Sequence, residues 1–327
     1  MGEMRLIEAV RQGLREELAA DSSVFLIGQD IGVNGGVFRV TDGLLDEFGP
    51  ERVIDSPLAE SGMVGVAIGA AMNGLRPVVE VQFADFIFPA FNQIVSEAAR
   101  MYYRTNGDYS VPIVIRAPYG GGVRGGLYHS QSVEAYFAHV PGLKVVVPSN
   151  PHDAKGLLKA AIRDNNPVLF FEHKLAYNTV QGDVPEGNYT VPIGKAAVRR
   201  EGQQLSLISY GLSVHHCLEA AETLAAEGIS CEVVDLRSVS PLDTKTLLES
   251  VKKTGRVCIV HEDNLTGGVG AEVAAIVAKD AFEYLDAPVQ RVAALDVPSF
   301  PYNPTLEDAL LPGPPDIISA ARELAAY

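Results

Sequence analysis

Two residues combine a reactive group with an unusual setting. Glu60 stands in DSPLAESGMVGVAIGAAMNG and is followed by fourteen residues without a charge, Ser61 to Gly74. His129 stands in LYHSQS, behind a loop with five glycines between positions 120 and 126. A carboxylate at the mouth of an apolar segment is partly desolvated, which raises its pKa and suits proton exchange with a buried nitrogen base. A glycine-rich loop lets backbone approach a ligand closely, so the histidine behind it is a candidate ligand-facing acid or base.

Each residue also has a plainer reading. Ser56 as N-cap and Pro57 as first helical residue would make Glu60 a helix-start acid near the positive end of the dipole. His129 would likewise be a helix-start residue. The segment behind Glu60 weakens the plain reading. GMVGVAIGAAMNG is apolar on every side, so it is expected to be buried all round, at a tight subunit or domain interface. A third group is VQFADFIFPAFNQ, where Phe83, Phe86, Phe88 and Phe91 read mostly as core, with Gln82 and Asp85 as polar exceptions. Neither a GxxxxGK[ST] phosphate loop nor a GxSxG elbow is present, and the glycine clusters do not form GxGxxG between strand and helix. Nucleotide binding is therefore poorly supported.

The elements that must position these residues alternate along the chain. The spacing predicts a helix over 4–20, a strand at 24–28, a glycine-rich loop at 29–43, a strand at 77–83 and a helix over 86–104. A strand at 111–118, the loop 119–132, a strand at 143–148, a helix at 151–164 and a strand at 167–171 follow. Residues 174–192 show neither periodicity and read as a linker. Strands at 205–211, 230–237, 256–262 and 289–295 then alternate with helices at 213–227, 243–252 and 269–284, before a terminal helix. The expectation is α/β: two open, mostly parallel-sheet domains, 1–185 and 190–327. Ligands bind beyond the carboxyl ends of such strands, which places the loops after residues 28, 83 and 118 near any active site.

Length and composition agree. A chain of 327 residues is too long for one ordinary core. The net charge of −15 argues against nucleic-acid or anionic-membrane partners. No apolar run reaches the ~18 residues of a membrane span, and the N-terminus lacks secretory features. Cys217, Cys231 and Cys258 form no CxxC pair, so a reducing cytoplasm fits best.

Together these segments resemble the β subunit of the thiamine-diphosphate-dependent 2-oxo acid dehydrogenases, over essentially the whole chain. The resemblance rests on GGVFRVTDGL, RVIDSPLAESG, VEVQFADFIFPAFNQIVSEAA, PYGGGVRGGLYHSQSVEAYFAH, PGLKVVVPSNPHDAKGLLKAAIRDNNPVLFFEHK and VVDLRSVSPLD. It implies a transketolase-like pyrimidine-binding domain followed by a transketolase C-terminal-like domain. Glu60 matches the family glutamate that hydrogen-bonds a ring nitrogen of the cofactor's aminopyrimidine and so promotes loss of the thiazolium proton. Leu58 and Gln82 match positions lining the pyrimidine pocket, and Phe86 one that is often tyrosine in branched-chain members. His129 matches the histidine that handles protons while the acyl group passes to the lipoyl arm. Some members bind structural potassium through loop oxygens, and the matching positions are Ile113, Ala161, Ile162, Asp164 and Asn166.

The family's diphosphate and magnesium segment, GDG with a later Asn, is not matched by Gly107-Asp108 or Gly182-Asp183. The resemblance therefore implies an α subunit that supplies the diphosphate and magnesium half, in an assembly of two α and two β chains. A lipoyl acyltransferase core is the further implied partner, and a small 2-oxo acid the substrate. The aromatic cluster and the HSQS loop look closer to branched-chain enzymes than to pyruvate dehydrogenases. A pyruvate-specific β subunit, the carboxyl half of a transketolase-like or deoxyxylulose-phosphate synthase chain, and a non-catalytic docking subunit are the alternatives.

Overall fold

The computed structural model describes residues 2–327, so Met1, where the first expected domain begins, lies outside it. The chain divides into two compact units: one runs to Tyr119 and resumes over Tyr136–Ile193, the other joins Gly120–Ala135 to Gly194–Tyr327. The sequence-based boundaries were contiguous. The loop carrying His129 departs from them, because its backbone and side chains bond to residues beyond 260.

In the first unit six parallel strands lie in the spatial order Lys144–Val146, Val168–His173, Val114–Tyr119, Arg76–Glu80, Val24–Gly28 and Val53–Asp55. The central strands are buried along almost their whole length, as expected for a sheet covered on both faces. Helices Leu6–Ala20 and Pro151–Arg163 pack together, with Gly13 against the Lys155 backbone and Glu16 paired to Lys155 at 2.7 Å. In the second unit the order is Gln290–Ala294, Val257–Asn264, Leu205–Ser209, Cys231–Asp235 and Ala197–Arg200, with only the last strand antiparallel. Its core includes Leu207, Val233, Cys258, Leu224 and Ile317.

Several expectations need correction. The first helix starts at Leu6, because Gly2–Arg5 forms a strand. Its partner is Gln181–Val184, inside the presumed linker, which also holds the short helix Ala176–Thr179. Both elements are too short to show a period, and the strand depends on pairing across nearly the whole unit. The helix expected over 86–104 is a 3-10 segment at Ala84–Ala90, a π segment at Gln93–Ala98 and an α-helix at Ala99–Arg104. Pro89 lacks the N–H that a regular helix would need there. One terminal helix becomes two, Pro304–Leu310 and Pro314–Ala325, separated at Gly313. Among the described residues no helix is long and apolar enough to cross a membrane.

Candidate active site

Glu60 is the first residue of helix Glu60–Met72. Ser56 is not its cap. The Ser56 hydroxyl donates to the Pro57 carbonyl at 3.0 Å, and Ala59 occupies the cap position without a side-chain bond. The uncapped N–H groups of the first turn carry the positive end of the dipole, which favours a carboxylate at this position. The helix is not buried all round within the chain. Met63, Val64, Ala67, Ile68 and Ala71 face inward, while Gly62, Gly65, Val66 and Gly69 are exposed, Val66 to 63%.

Glu60 is half-buried and lines a pocket with Gln29, Pro57, Ala59, Met63, Glu80, Val81 and Gln82. The strands Val24–Gly28 and Arg76–Glu80 pair Gly28 with Glu80, which brings the loops after them to one end of the sheet. The Gln82 amide donates to Asp30 at 3.2 Å, fixing its orientation. Gly32 donates its N–H to Asp55 at 2.7 Å, and a Cβ on Gly32 would lie 2.5 Å from that carboxylate, so the loop needs glycine there.

The other first-unit candidates divide. Gln82 lies in the pocket lining with Glu60; Leu58 stands just before the helix and is 72% exposed. Phe86 is half-buried and packs edge-on against Phe83, with centroids 5.5 Å apart. The potassium candidates gather at the C-terminal end of helix Pro151–Arg163. Arg76 Nη1 donates to the carbonyls of Ile162 and Asp164 at 3.0 Å each. The Ile113 carbonyl accepts from Val168 and that of Ala161 from Asp164. Asp164 accepts from the Asn166 backbone at 2.9 Å and pairs with Lys144. Among the described residues no three His, Cys, Asp or Glu side chains are placed to hold a metal. Neither Asp108 nor Asp183 lines the pocket.

Four residues, Glu80 in the pocket wall and three that join it in one buried cluster, were missed in the sequence reading. The Arg116 guanidinium donates to Glu172 at 2.7 and 3.1 Å and to Glu80 at 2.6 Å, and the Tyr177 hydroxyl donates to Glu172 at 3.0 Å. All four are buried. Burial opposes the charge on Arg116, but the facing Glu172 and Glu80 carboxylates outweigh it and hold its pKa above the ordinary value. Burial raises the Glu172 pKa, against the pull of Arg116. Glu80 therefore connects this ion cluster to the wall of the Glu60 pocket. A signal existed: RPVVE, VIRAPY and VLFFEH are largely apolar, buried strands that carry Glu80, Arg116 and Glu172.

In the second unit His129 follows the 3-10 turn Gly126–Tyr128 and is half-buried. Nearby lies a group of buried acids. Burial, reinforced by Asp263, pushes the Glu134 carboxyl up to about 8, although the Tyr210 hydroxyl donates to it at 2.9 Å. Burial raises Asp263 to about 6, with Glu262 adding to it. His261 is fully buried, stacks on Tyr210, and burial lowers it to about 4, so it is neutral at physiological pH.

The two units, each built on an open and mostly parallel sheet, have the transketolase-type fold. A family model described as the pyrimidine binding domain of transketolase matches residues 2–180, and one described as its C-terminal domain matches 194–317. The chain is 56% identical to the 2-oxoisovalerate dehydrogenase subunit beta of Bacillus subtilis (strain 168), over 100% of both chains. It is 48% identical to the pyruvate dehydrogenase E1 component subunit beta of the same organism, again over 100% of both. A solved split-gene transketolase, an inactive β4 tetramer, superposes with a TM-score of 0.80 at 24% identity over 99% of each chain, which supports the fold. The chain belongs to the β-subunit family of the thiamine-diphosphate-dependent 2-oxo acid dehydrogenases, oxidoreductases with transketolase-type domains. The expected leaning toward the branched-chain type agrees with the greater identity to the 2-oxoisovalerate enzyme.

Proposed function

We propose that this chain works with an α subunit to decarboxylate a branched-chain 2-oxo acid oxidatively and pass the acyl group to a lipoyl group. The observation that carries the reading is Glu60 at its helix head, lining one pocket with Gln82, on a chain 56% identical to a 2-oxoisovalerate dehydrogenase β subunit. Thiamine diphosphate, when bound, supplies the electron sink for loss of carbon dioxide. The protein's part is proton handling and orientation. The Glu60 carboxylate holds a proton against a ring nitrogen of the aminopyrimidine. Gln82, oriented by Asp30, adds a fixed amide, and Leu58 and Phe86 give apolar contact. His129 exchanges the proton that accompanies acyl transfer.

Diphosphate and magnesium fall to the α chain in this reading. The exposed, chargeless helix face at Gly62, Gly65, Val66 and Gly69 supports a subunit contact. An assembly of two α and two β chains, docked on a lipoyl acyltransferase core, completes the proposal. Potassium would be held by backbone oxygens at Ile113, Ala161, Ile162, Asp164 and Asn166. The negative end of helix Pro151–Arg163 lies there, where Arg76 donates to two of these carbonyls and Lys144 pairs with Asp164. Three buried free cysteines suit a reducing cytoplasm.

The test is decarboxylation by this chain with its α partner, thiamine diphosphate and magnesium, read with a dye. Turnover that needs both chains and prefers 3-methyl-2-oxobutanoate supports the proposal. Preference for pyruvate would favour the second reading, which the 48% identity to a pyruvate dehydrogenase β subunit motivates. No turnover from a verified tetramer would favour a docking subunit instead.

A further inference from the structure

The loop that carries His129 is held by two carboxylates far away in sequence. At its neck the Gly120 N–H donates to the Gln131 carbonyl at 3.0 Å. Glu262, on strand Val257–Asn264, bridges both limbs: its Oε1 accepts from the Gly121 N–H at 2.6 Å and from the Ser132 hydroxyl at 3.3 Å. Glu307, on helix Pro304–Leu310, takes the ascending limb. Its carboxylate accepts from the N–H groups of Gly122 at 3.0 Å and Arg124 at 3.3 Å, and from Arg124 Nη1 at 2.6 Å. The Glu307 side chain is completely buried, an unusual place for a carboxylate that only held a surface helix.

The rest of the loop is shaped to need such ties. Arg124 adopts φ +60°, and Gly120, Gly122 and Gly126 also have positive φ. A Cβ on Gly126 would lie 2.4 Å from the Tyr302 ring, and one on Gly125 only 2.6 Å from the His129 Cβ. A glycine-rich chain of this kind has many conformations of similar energy, and ordering it costs more entropy than ordering other residues. Charge-assisted bonds to fixed carboxylates are the interactions best able to select one of them.

We propose that Glu307, together with Glu262, is a positioning residue for His129, clamping the glycine loop so that the imidazole is held in one place for acyl transfer. The inference rests on the reading of His129 given above. The central variant is Glu307→Ala in the tetramer assembled with its α partner. Since displacement of a reacting group by about 1 Å can cost ~100-fold in rate, the lipoyl-dependent rate should fall by about tenfold or more. Dye-linked decarboxylation should stay within about twofold, because that step does not use His129. Arg124→Met, which strips Glu307 of its cation from the other side, should give the same split. Glu307→Gln keeps one acceptor for the Gly122 N–H and should lie between.

Hydrogen exchange across the peptide 119–133 supplies a readout independent of activity. The amides of Gly122 and Arg124 should be protected in the parent tetramer and exchange at least tenfold faster in Glu307→Ala. Unchanged exchange, or equal loss in both catalytic steps with exchange confined to global unfolding, would overturn the clamp. His129→Ala tests the underlying reading separately. If it slows both steps equally, the role of His129 fails, while the exchange result still decides the clamp.

Discussion

Replacing Arg116 by methionine should expose the main electrostatic dependence of the first unit. The side chain keeps its apolar stem and loses the guanidinium. Three ionic hydrogen bonds disappear, at 2.6, 2.7 and 3.1 Å, leaving two carboxylates in a site where Glu80 is 6% and Glu172 0% exposed. Removing one partner of a buried ion pair costs about 3–5 kcal/mol. With a urea m-value of roughly 3 kcal/mol/M, the unfolding midpoint should drop by about 1–1.7 M. The pH dependence gives the sharper test. Without Arg116, burial and the facing Glu80 charge raise the Glu172 carboxyl further above its unfolded value. A carboxyl raised in the folded state contributes stability while protonated and loses it as pH rises through the folded value. The deficit of Arg116→Met should therefore be smaller at about pH 5.5 than at about pH 8. Adding Glu80→Gln and Glu172→Gln should recover most of the loss, since the charges would go together. A midpoint shift under about 0.3 M, or one independent of pH, would refute this account.

Two further outcomes follow from the sites. Glu60→Gln should fold and assemble but lose most decarboxylation, because an amide cannot exchange a proton with the aminopyrimidine; near-parental turnover would remove Glu60 from the mechanism. Glu134 is pushed up to about 8 from an ordinary 4.5, so its contribution to stability is full below the ordinary value and fades as pH rises through about 8. Glu134→Gln should flatten the alkaline part of a melting-temperature profile measured across that range. An unchanged slope would show that the carboxyl is not the group titrating there.

How much was legible in the sequence depended on whether the signal was local. VFLIG and VLFFEH read as strands because both faces of a covered parallel sheet are apolar. Glu60 stood out because its neighbours carry no charge, and it lines one pocket with Gln82. Glu60 is the helix-start acid of the plain reading, but Ala59 rather than Ser56 holds the cap position, because Pro57 lies before the helix. What escaped is built from partners distant in the chain. Arg116 meets Glu80 across 36 residues and Glu172 across 56, and Glu307 reaches Gly122 across 185. No periodicity encodes such a meeting; only the physical cost of a buried charge hints at it. A glutamate at the end of RPVVE and an arginine inside VIRAPY each need a counter-charge, and parallel register pairs Glu80 with Arg116. The same reasoning extends to Glu307, whose helix lies beyond a proline-rich stretch with no visible reason to bury an acid. Its buried carboxylate becomes intelligible only once the glycine loop it holds is in place, which ties a helix 185 residues away to the loop that carries His129.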